Sequence, residues 1–186
     1  MDLNTAIYGR RSTRSYTTDT VGDEPIKHLI DAAAHAPNAS NEQPWMFTVV
    51  RDRDLLDRLS AASKVHMLAN LPEGPNAARY RAELSDPDFQ IFYDAPALIV
   101  ISGTRPGRWV AEDCALAAEN LMLAAHGMAL GTCWIGFAQG YLNTPEGKDA
   151  LGLPASCVPV APIIVGHPAA TPTPRPRKEP EIHWFG

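Results

Sequence analysis

Hydrophobic residues recur along the chain with two different spacings, which predicts a domain built from both helices and strands. In the helix predicted to begin at Pro25 and end before Pro37, they recur every three or four positions. The runs 45–50, 97–102 and 158–165 are rich in β-branched and apolar residues and are predicted to be strands. Pro159 and Pro162 favour an edge or bulged position for the last of them.

The rest of the pattern predicts further helices and, between residues 64 and 92, a less regular segment. Short helices are expected at residues 3–8 and 77–84, and a long Ala-rich helix at 108–130 with Gly131 as its C-terminal cap. Glu112 and Asp113 fall in the first turns of the long helix, where negative charge suits the helix dipole, so they receive no catalytic role. Around the short helix at 77–84, the hydrophobic pattern weakens between residues 64 and 92, where prolines interrupt it.

The end of the chain is predicted to be an extended arm, residues 167–186. Five of the 17 prolines lie between Pro168 and Pro180, and a segment of this composition cannot pack as a helix. The arm ends in the apolar groups Ile182, Trp184 and Phe185, which are unfavourable in water. We therefore expect the arm to dock on a second copy of the chain.

Composition and charge exclude several classes of function. The 186 residues suit a single domain, and 45% hydrophobic with 20% charged residues is typical of a globular protein. With 16 Lys and Arg against 21 Asp and Glu, the net charge of −5 predicts no attraction to nucleic acid or to anionic membranes. The longest apolar run, 95–101, is too short to span a bilayer. Three cysteines without a C-x-x-C pair indicate a reducing, cytoplasmic location.

Common catalytic motifs are missing from the sequence. No two glycines are two positions apart, so the dinucleotide fingerprint G-x-G-x-x-G cannot occur. There is also no phosphate-binding P-loop, no G-x-S-x-G and no H-E-x-x-H. Simple nucleotide hydrolases, serine esterases and zinc peptidases are therefore disfavoured.

Three short motifs could carry chemistry. Arg10-Arg11-Ser12-Thr13-Arg14 supplies guanidinium groups and a hydroxyl that suit a phosphate, unless it is only a solvated basic patch. Asn38-Ala39-Ser40-Asn41 could hydrogen-bond the edge of a planar heterocycle, or simply cap and turn the chain. In Gly131-Thr132-Cys133-Trp134-Ile135-Gly136, two glycines let a flat ligand approach the backbone, although a plain core strand is equally compatible. Cys133 is interpreted as a buried structural thiol.

Taken together, in this order and spacing, these motifs resemble the nitroreductase family of FMN enzymes. The segment from Ala36 to Trp45 and the Gly166-His167-Pro168 turn before the Pro/Arg tail are also similar. The resemblance implies an α+β fold with a mixed central β-sheet flanked by helices. It also implies a homodimer with exchanged C-terminal arms and two FMN molecules at the dimer interface.

Carried over residue by residue, the resemblance implies three groups of FMN contacts. The residues implied to hold the phosphate and the polar edge are Arg10, Arg11, Ser12 and Arg14, joined at the phosphate by Arg175 and Arg177. Those implied to approach the isoalloxazine from the partner subunit are Asn38, Ala39, Ser40 and Asn41. Those implied to line the ring on the opposite side are Trp134, Ile135 and Gly136.

The implied reaction is a two-step (ping-pong) transfer of hydride from NADH or NADPH, through FMN, to a small-molecule acceptor such as a nitroaromatic, a quinone or an activated alkene. Two alternatives stay open: a flavin-sequestering protein without turnover, and a specialised branch that performs reductive dehalogenation or flavin breakdown. Residues 64–92 correspond to the pocket or lid segment of the family, but they match no known pattern, so no residue is carried over from them.

Overall fold

A computed structural model describes residues 1–174 and 176–186 of the chain. Its helices and strands alternate irregularly along the sequence. In chain order they are α1 (Leu3–Gly9), α2 (Asp23–Ala34), β1 (Trp45–Val50), α3 (Arg53–Ala69), α4 (Ala77–Ser85), β2 (Ala97–Gly103), α5 (Val110–Gly127), β3 (Gly131–Trp134), α6 (Gly136–Leu142), α7 (Pro145–Ala150) and β4 (Val158–Gly166). A 3₁₀ turn, Ala39–Asn41, lies between α2 and β1.

The strands form one sheet in the order β1-β2-β4-β3, and each neighbouring pair is antiparallel. Within the described residues, parallel pairing is confined to an isolated bridge between Ser12 and Thr132. Helices cover both faces of the sheet, because β2 and β4 are buried along nearly their whole length and neither face can be left to water. The predicted α+β class, a central sheet flanked by helices, is confirmed, but the paired strands of the sheet are antiparallel and not mixed.

Alternate residues of β2 and β4 supply two separate hydrophobic cores. Ile99 and Ile101 point to the side covered by α2 and α5, whereas Leu98 and Val100 point to the side covered by α3, α4 and α6. This follows from the pleat of a strand, in which successive side chains face opposite ways. The second core also contains Cys133 and Ile135. The helices α3, α4 and α6 therefore lie on the same side of the sheet as the end of β3.

The position of β4 differs from one of the two sequence expectations. β4 lies between β2 and β3, so it is an interior strand and not an edge strand. The bulge is confirmed: Ile101 pairs with Ala161 but Ser102 pairs with Pro159, which leaves Val160 as the extra residue. The bulge accommodates the missing amide of Pro159 within the sheet.

The boundaries of two helices also differ from the prediction. α2 begins at Asp23, so Pro25 falls within its first turn. α5 ends at Gly127, and Gly131 belongs to β3. The helix is closed instead by Ala129, whose φ of 58° is left-handed. The Ala129 amide donates to the His126 carbonyl and the Leu130 amide to the Ala125 carbonyl, the hydrogen-bond pair of a Schellman motif.

The arm begins beside the segment that follows α1. The Thr17 amide donates to the carbonyl of His167, and the Ala169 amide to the carbonyl of Ser15. Beyond these bonds residues 171–174 and 176–186 form no helix or strand, and Trp184 and Phe185 are almost fully exposed. Docking of the arm on a second copy stays a prediction. None of the described helices combines the length and apolarity needed to cross a bilayer.

Candidate functional site

A cavity of about 910 Å³ opens beside the end of β3, within the size range of cofactor sites. One side, which we call the inner wall, is formed by Arg10, Arg11, Ser12, Arg14 and residues Cys133, Trp134, Ile135, Gly136 and Phe137. The other side, which we call the outer wall, is formed by Met67, Arg79, Tyr80, Glu83, Phe89, Ile91 and Tyr93. The arm adds Pro172, Thr173 and Arg177 at the rim.

The basic segment of the inner wall is fixed by its contacts with β3. The Thr13 amide donates to the Thr132 carbonyl at 2.9 Å, next to the bridge between Ser12 and Thr132. Thr13 itself is buried against Gly131. A Cβ atom on Gly131 would lie 2.6–2.7 Å from the side chain of Thr13, so only glycine permits this close approach. The sheet therefore holds the arginines in register with the β3–α6 junction.

The arginines of this segment are held by different partners while they line one cavity. Arg11 donates to the carbonyls of Tyr8 and Arg10, each at 2.7 Å. Arg10 lies 3.6 Å from Glu119, and the guanidinium of Arg14 lies 5.9 Å from the ring centre of Tyr93. These contacts limit the freedom of the side chains and leave donors facing the cavity.

Residues from both ends of the chain meet at this cavity. Arg177 lines the same space as Arg10, Arg11, Ser12 and Arg14, with which the resemblance grouped it. The prediction for Arg175 lies outside the described residues.

The junction of β3 and α6 supplies an apolar surface and a stretch of backbone that no side chain covers. Trp134 is half-buried, Ile135 is buried, and the Ile135 amide donates to the Pro162 carbonyl at 2.8 Å. A Cβ on Gly136 would meet no atom within 4 Å, so the chain is open to the cavity at this point. The structure thus brings all three predicted residues, Trp134, Ile135 and Gly136, to the same cavity as the arginines.

Cys133 lines the cavity and is itself buried. Burial raises its pKa, against the opposing effects of the nearby Arg14 and Ser12. Its sulfur lies 3.6 Å from the Trp134 carbonyl oxygen. Because the thiolate is the reactive form, burial and a raised pKa support the interpretation of Cys133 as a structural residue.

The loop Asn38-Ala39-Ser40-Asn41 lies away from this cavity in its own chain. The Ala39 amide donates to the carboxylate of Asp113 at 2.9 Å, at the start of α5. Gly9, just before the basic segment, packs against His126 at the end of α5. These two attachment points are about 20 Å apart along the helix axis. One chain therefore does not bring the loop and the arginines together.

The conformation of this loop is unusual, and Asp113 is the residue that sequence reasoning missed there. Ser40, Asn41 and Gln43 all have φ near +50°, a left-handed conformation that is unfavourable for side-chain-bearing residues. Asp113 is buried, and its carboxylate fixes the backbone at Ala39, directly before these left-handed residues. In the sequence, an acidic residue in the first turn of a helix is already explained by the helix dipole. Nothing in the sequence therefore indicated that Asp113 also binds the loop.

No individual residue of the outer wall was predicted, although all of them except Tyr93 lie within residues 64–92, the segment that the resemblance assigned to the pocket or lid. Three of its seven residues are aromatic. Tyr80 meets Phe137 edge-on at 5.3 Å between ring centres, and Phe89 meets Tyr93 in the same way at 5.6 Å. Tyr80 lies on α4 and Phe137 on α6, whereas Phe89 and Tyr93 lie in the loop before β2. The only signal in the sequence was the density of aromatic residues in a proline-interrupted stretch.

Two cationic side chains outside the cavity attach the outer wall to α3. Lys64 donates to the carbonyls of Asp86 and Phe89, the latter at 2.8 Å. Arg53 at the start of α3 pairs with Asp94, which with Tyr93 adopts a left-handed conformation. The outer wall is thus held by side chains, whereas the inner wall is held by backbone hydrogen bonds.

The cavity combines a cationic end with an aromatic and apolar interior. Arg10, Arg11, Arg14 and Arg177 suit a phosphate, and the rings of the outer wall with Trp134 suit a flat ring system. Among the described residues no three His, Cys, Asp or Glu side chains cluster as metal ligands. The arrangement suits a planar ligand that carries a phosphate and needs no catalytic acid or base from the protein.

Comparison with known proteins agrees with this geometry. A model of the nitroreductase family matches residues 7–167. A relative in Archaeoglobus fulgidus, with the provisional name NADH dehydrogenase/NAD(P)H nitroreductase, is 34% identical over 87% of this chain and 83% of its own. The nitrobenzene nitroreductase of Ectopseudomonas oleovorans is 28% identical over 88% of this chain and 86% of its own.

A solved structure shows the same fold. The nitroreductase of Bacteroides fragilis, crystallised with bound FMN, superposes over 100% of both chains with a TM-score of 0.86 at 24% identity. At this identity the likeness is one of fold. The match of the family model over residues 7–167, together with the relative at 34% identity, gives the assignment: the chain belongs to the nitroreductase family.

Proposed function

We propose that this protein binds FMN in the cavity beside β3 and transfers hydride from NADH or NADPH to a small electron acceptor, a nitroaromatic, a quinone or an activated alkene. The observation that carries the proposal is the convergence of Arg10, Arg11, Arg14 and Arg177 with the open backbone at Gly136, in a chain of the nitroreductase family. FMN offers the two features that this cavity accommodates, a phosphate and a flat tricyclic ring.

The basic segment holds the phosphate. Arg pairs with phosphate oxygens through two parallel hydrogen bonds, and the hydroxyl of Ser12 adds a neutral donor. The backbone bonds of Thr13 to β3 fix these donors before the ligand arrives, so little conformational entropy is lost on binding. Arg175 and Arg177 of the arm complete the phosphate site in this proposal.

The β3–α6 junction and the outer wall hold the ring. Gly136 lets the flat face approach the backbone closely, and the side chains of Trp134 and Ile135 exclude water from it. When bound, FMN supplies the hydride-transfer chemistry itself, and the protein orients it and its two substrates. For a nitro acceptor, one NAD(P)H and one proton convert Ar–NO₂ to Ar–NO, with release of NAD(P)⁺ and water.

The complete site requires a second copy of the chain. The loop 38–41 is held at the opposite end of α5 from Gly9, so in this proposal it reaches the isoalloxazine of the partner's FMN. The apolar residues at the end of the arm, Trp184 and Phe185, are exposed in one chain and would be covered by the partner. A homodimer with exchanged arms explains both observations.

The test is an anaerobic titration of the purified, FMN-loaded protein. NADH or NADPH should bleach the yellow absorbance, and nitrobenzene or a quinone should restore it. Colour that persists under an excess of both nucleotides would contradict the oxidoreductase function and favour a flavin-sequestering protein.

A further inference from the structure

The outer wall carries one cation that the FMN site does not use. Arg79 of α4 lines the cavity, and it lies outside the three motifs that match the family's cofactor site. Its guanidinium stacks over the ring of Tyr80 at 4.8 Å. Tyr80 in turn meets Phe137, which follows Gly136 at the β3–α6 junction. A chain of contacts therefore links Arg79 to the place where the flavin ring lies in the proposed function.

The guanidinium of Arg79 is available for a ligand. Its partner within the chain is Glu83, one helical turn later, at 3.6 Å. Both side chains are more than a third exposed, and surface pairs of this kind are weak and readily exchanged. Glu83 is also the only acidic residue among the described lining residues of the cavity. An anion that enters can thus replace Glu83 as the partner of Arg79.

The surroundings of Arg79 specify the rest of the ligand. Two edge-on aromatic pairs line the same cavity: Phe89 with Tyr93 in the outer wall, and Tyr80 of the outer wall with Phe137 of the inner wall. Such surfaces favour a flat aromatic ring. A ring placed against them, with an acidic substituent on its outer edge, would bring a carboxylate to Arg79.

We infer that Arg79 recognises an acidic group on the electron acceptor, so that the preferred acceptors are planar aromatic anions such as aryl carboxylates. This inference rests on the proposed function and adds the class of substrate. Arg79 is here a specificity-determining residue, and the neutral part of the acceptor is bound by the aromatic pairs.

Binding without turnover gives the first test. Benzoate and benzamide have similar shapes and differ in charge, and each can be titrated into the oxidised, FMN-loaded protein by calorimetry. We expect benzoate to bind about 10-fold more tightly than benzamide, the size of one charge-assisted hydrogen bond. Arg79→Gln should remove this preference. An unchanged ratio in this variant would overturn the inference.

Arg81→Gln is the matched control, because Arg81 lies on the same helix, is exposed and does not line the described cavity. It changes the net charge by the same amount and should leave the preference for benzoate intact. If Arg79→Gln and Arg81→Gln lose the preference for benzoate equally, the preference comes from long-range attraction of the anion by the positively charged surface. That result would also overturn the inference.

Stopped-flow kinetics separate the acceptor from the donor. Reoxidation by 4-nitrobenzoate should be about 10-fold more efficient than by 4-nitrobenzamide, and Arg79→Gln should make the two equal. If Arg79→Gln slows the reduction by NADH or NADPH instead, Arg79 contacts the donor and the inference is wrong. Failure of both donors to bleach the flavin would contradict the proposed function itself, whereas reoxidation by the amide without preference for the acid contradicts only this inference.

Discussion

The two walls of the cavity are held in place by different forces. The inner wall is attached to β3 by backbone hydrogen bonds and by the close contact of Thr13 with Gly131. The outer wall is attached to α3 by side chains. Lys64 and Arg53 bind it at the surface, and the Ile91 amide donates to the buried hydroxyl of Ser60. Ile91 is also buried in the apolar core that α3 shares. Backbone bonds within a sheet are more cooperative than pairs of long exposed side chains.

This difference suits a protein that keeps one ligand and exchanges others. In the proposed function FMN stays bound to the inner wall, which requires donors that are already positioned. The nucleotide and the acceptor bind and leave at the outer wall, which needs only a general shape and a few polar groups. The comparison predicts that substitutions in the inner wall affect FMN binding, and that substitutions in the outer wall affect the acceptor.

The largest effect is expected from Gly131→Ala. The new methyl group would overlap the side chain of Thr13 and displace the basic segment from β3. Overpacking of this kind costs about 1–3 kcal/mol of folding free energy. Since several arginines move together, FMN affinity should fall by roughly 100-fold or more, with each charge-assisted bond contributing about 1.5–3 kcal/mol. Fluorescence titration with FMN and thermal denaturation measure the two effects.

Two further variants check the cause. Gly127→Ala, at the end of α5 where a Cβ meets no atom, should leave FMN affinity unchanged. The double variant Gly131→Ala/Thr13→Gly removes the overlapping atoms and should recover part of the lost affinity. An FMN affinity in Gly131→Ala equal to that of the original chain would show that the register of the basic segment is unimportant.

Arg14→Ala is expected to have the next largest effect. Removal of one guanidinium from the phosphate site should lower FMN affinity by about 10- to 100-fold, since a hydrogen bond to a charged group is worth about 1.5–3 kcal/mol. Arg108→Ala is the control, because Arg108 is exposed and stacks on Trp109 away from the described cavity. Equal affinities in Arg14→Ala and the original chain would place Arg14 outside the cofactor site.

Lys64→Met tests the outer wall. The substitution removes the donor to the Asp86 and Phe89 carbonyls, which should cost about 1–2 kcal/mol of stability. Because the aromatic side of the cavity loosens, the KM for a nitroaromatic acceptor should rise several-fold while FMN affinity changes by less than about twofold. A large loss of FMN with an unchanged KM would reverse the roles of the two walls.

The smallest effect is expected from Ala129→Gly, in the turn that leads into β3. Ala129 has a φ of 58°, and glycine adopts this conformation without a steric cost. The variant should gain about 0.5–1 kcal/mol of stability, measured by urea denaturation, and FMN affinity should not change. A loss of stability would mean that the methyl group makes a contact worth more than the backbone strain.

The elements that sequence predicted well have a strong local signal. β1 has the predicted bounds, because its apolar and β-branched residues lie between a proline and a charged turn. The interior position of β4 was not predictable from its two prolines, since the bulge that accommodates Pro159 depends on pairing with β2. The end of α5 was misplaced because Ala129, and not a glycine, adopts the left-handed conformation.

In the site, too, only the residues that belong to short local motifs could be predicted from the sequence. The inner wall could be predicted because its residues form short motifs with a characteristic order along the chain. The individual residues of the outer wall could not, since they belong to different parts of the chain and their contacts depend on the tertiary fold. Arg79 and Tyr80 lie on α4, and the Tyr80 ring meets Phe137 of α6. Phe89 and Tyr93 form a separate pair in the loop before β2. The role of Asp113 depends on a contact with Ala39, distant in sequence, which no local pattern indicates.

The central claim is that each FMN site is built from two copies of the chain, and subunit complementation tests it most directly. Arg14→Ala weakens the phosphate site, and Ser40→Glu places a carboxylate on the exposed loop 38–41. In a mixed dimer of the two variants, one site carries both defects and the other carries none. The account predicts that mixing restores FMN binding of original affinity to half of the sites in each mixed dimer. If Arg14 and Ser40 act on the same site within one chain, every site keeps one defect and mixing restores nothing.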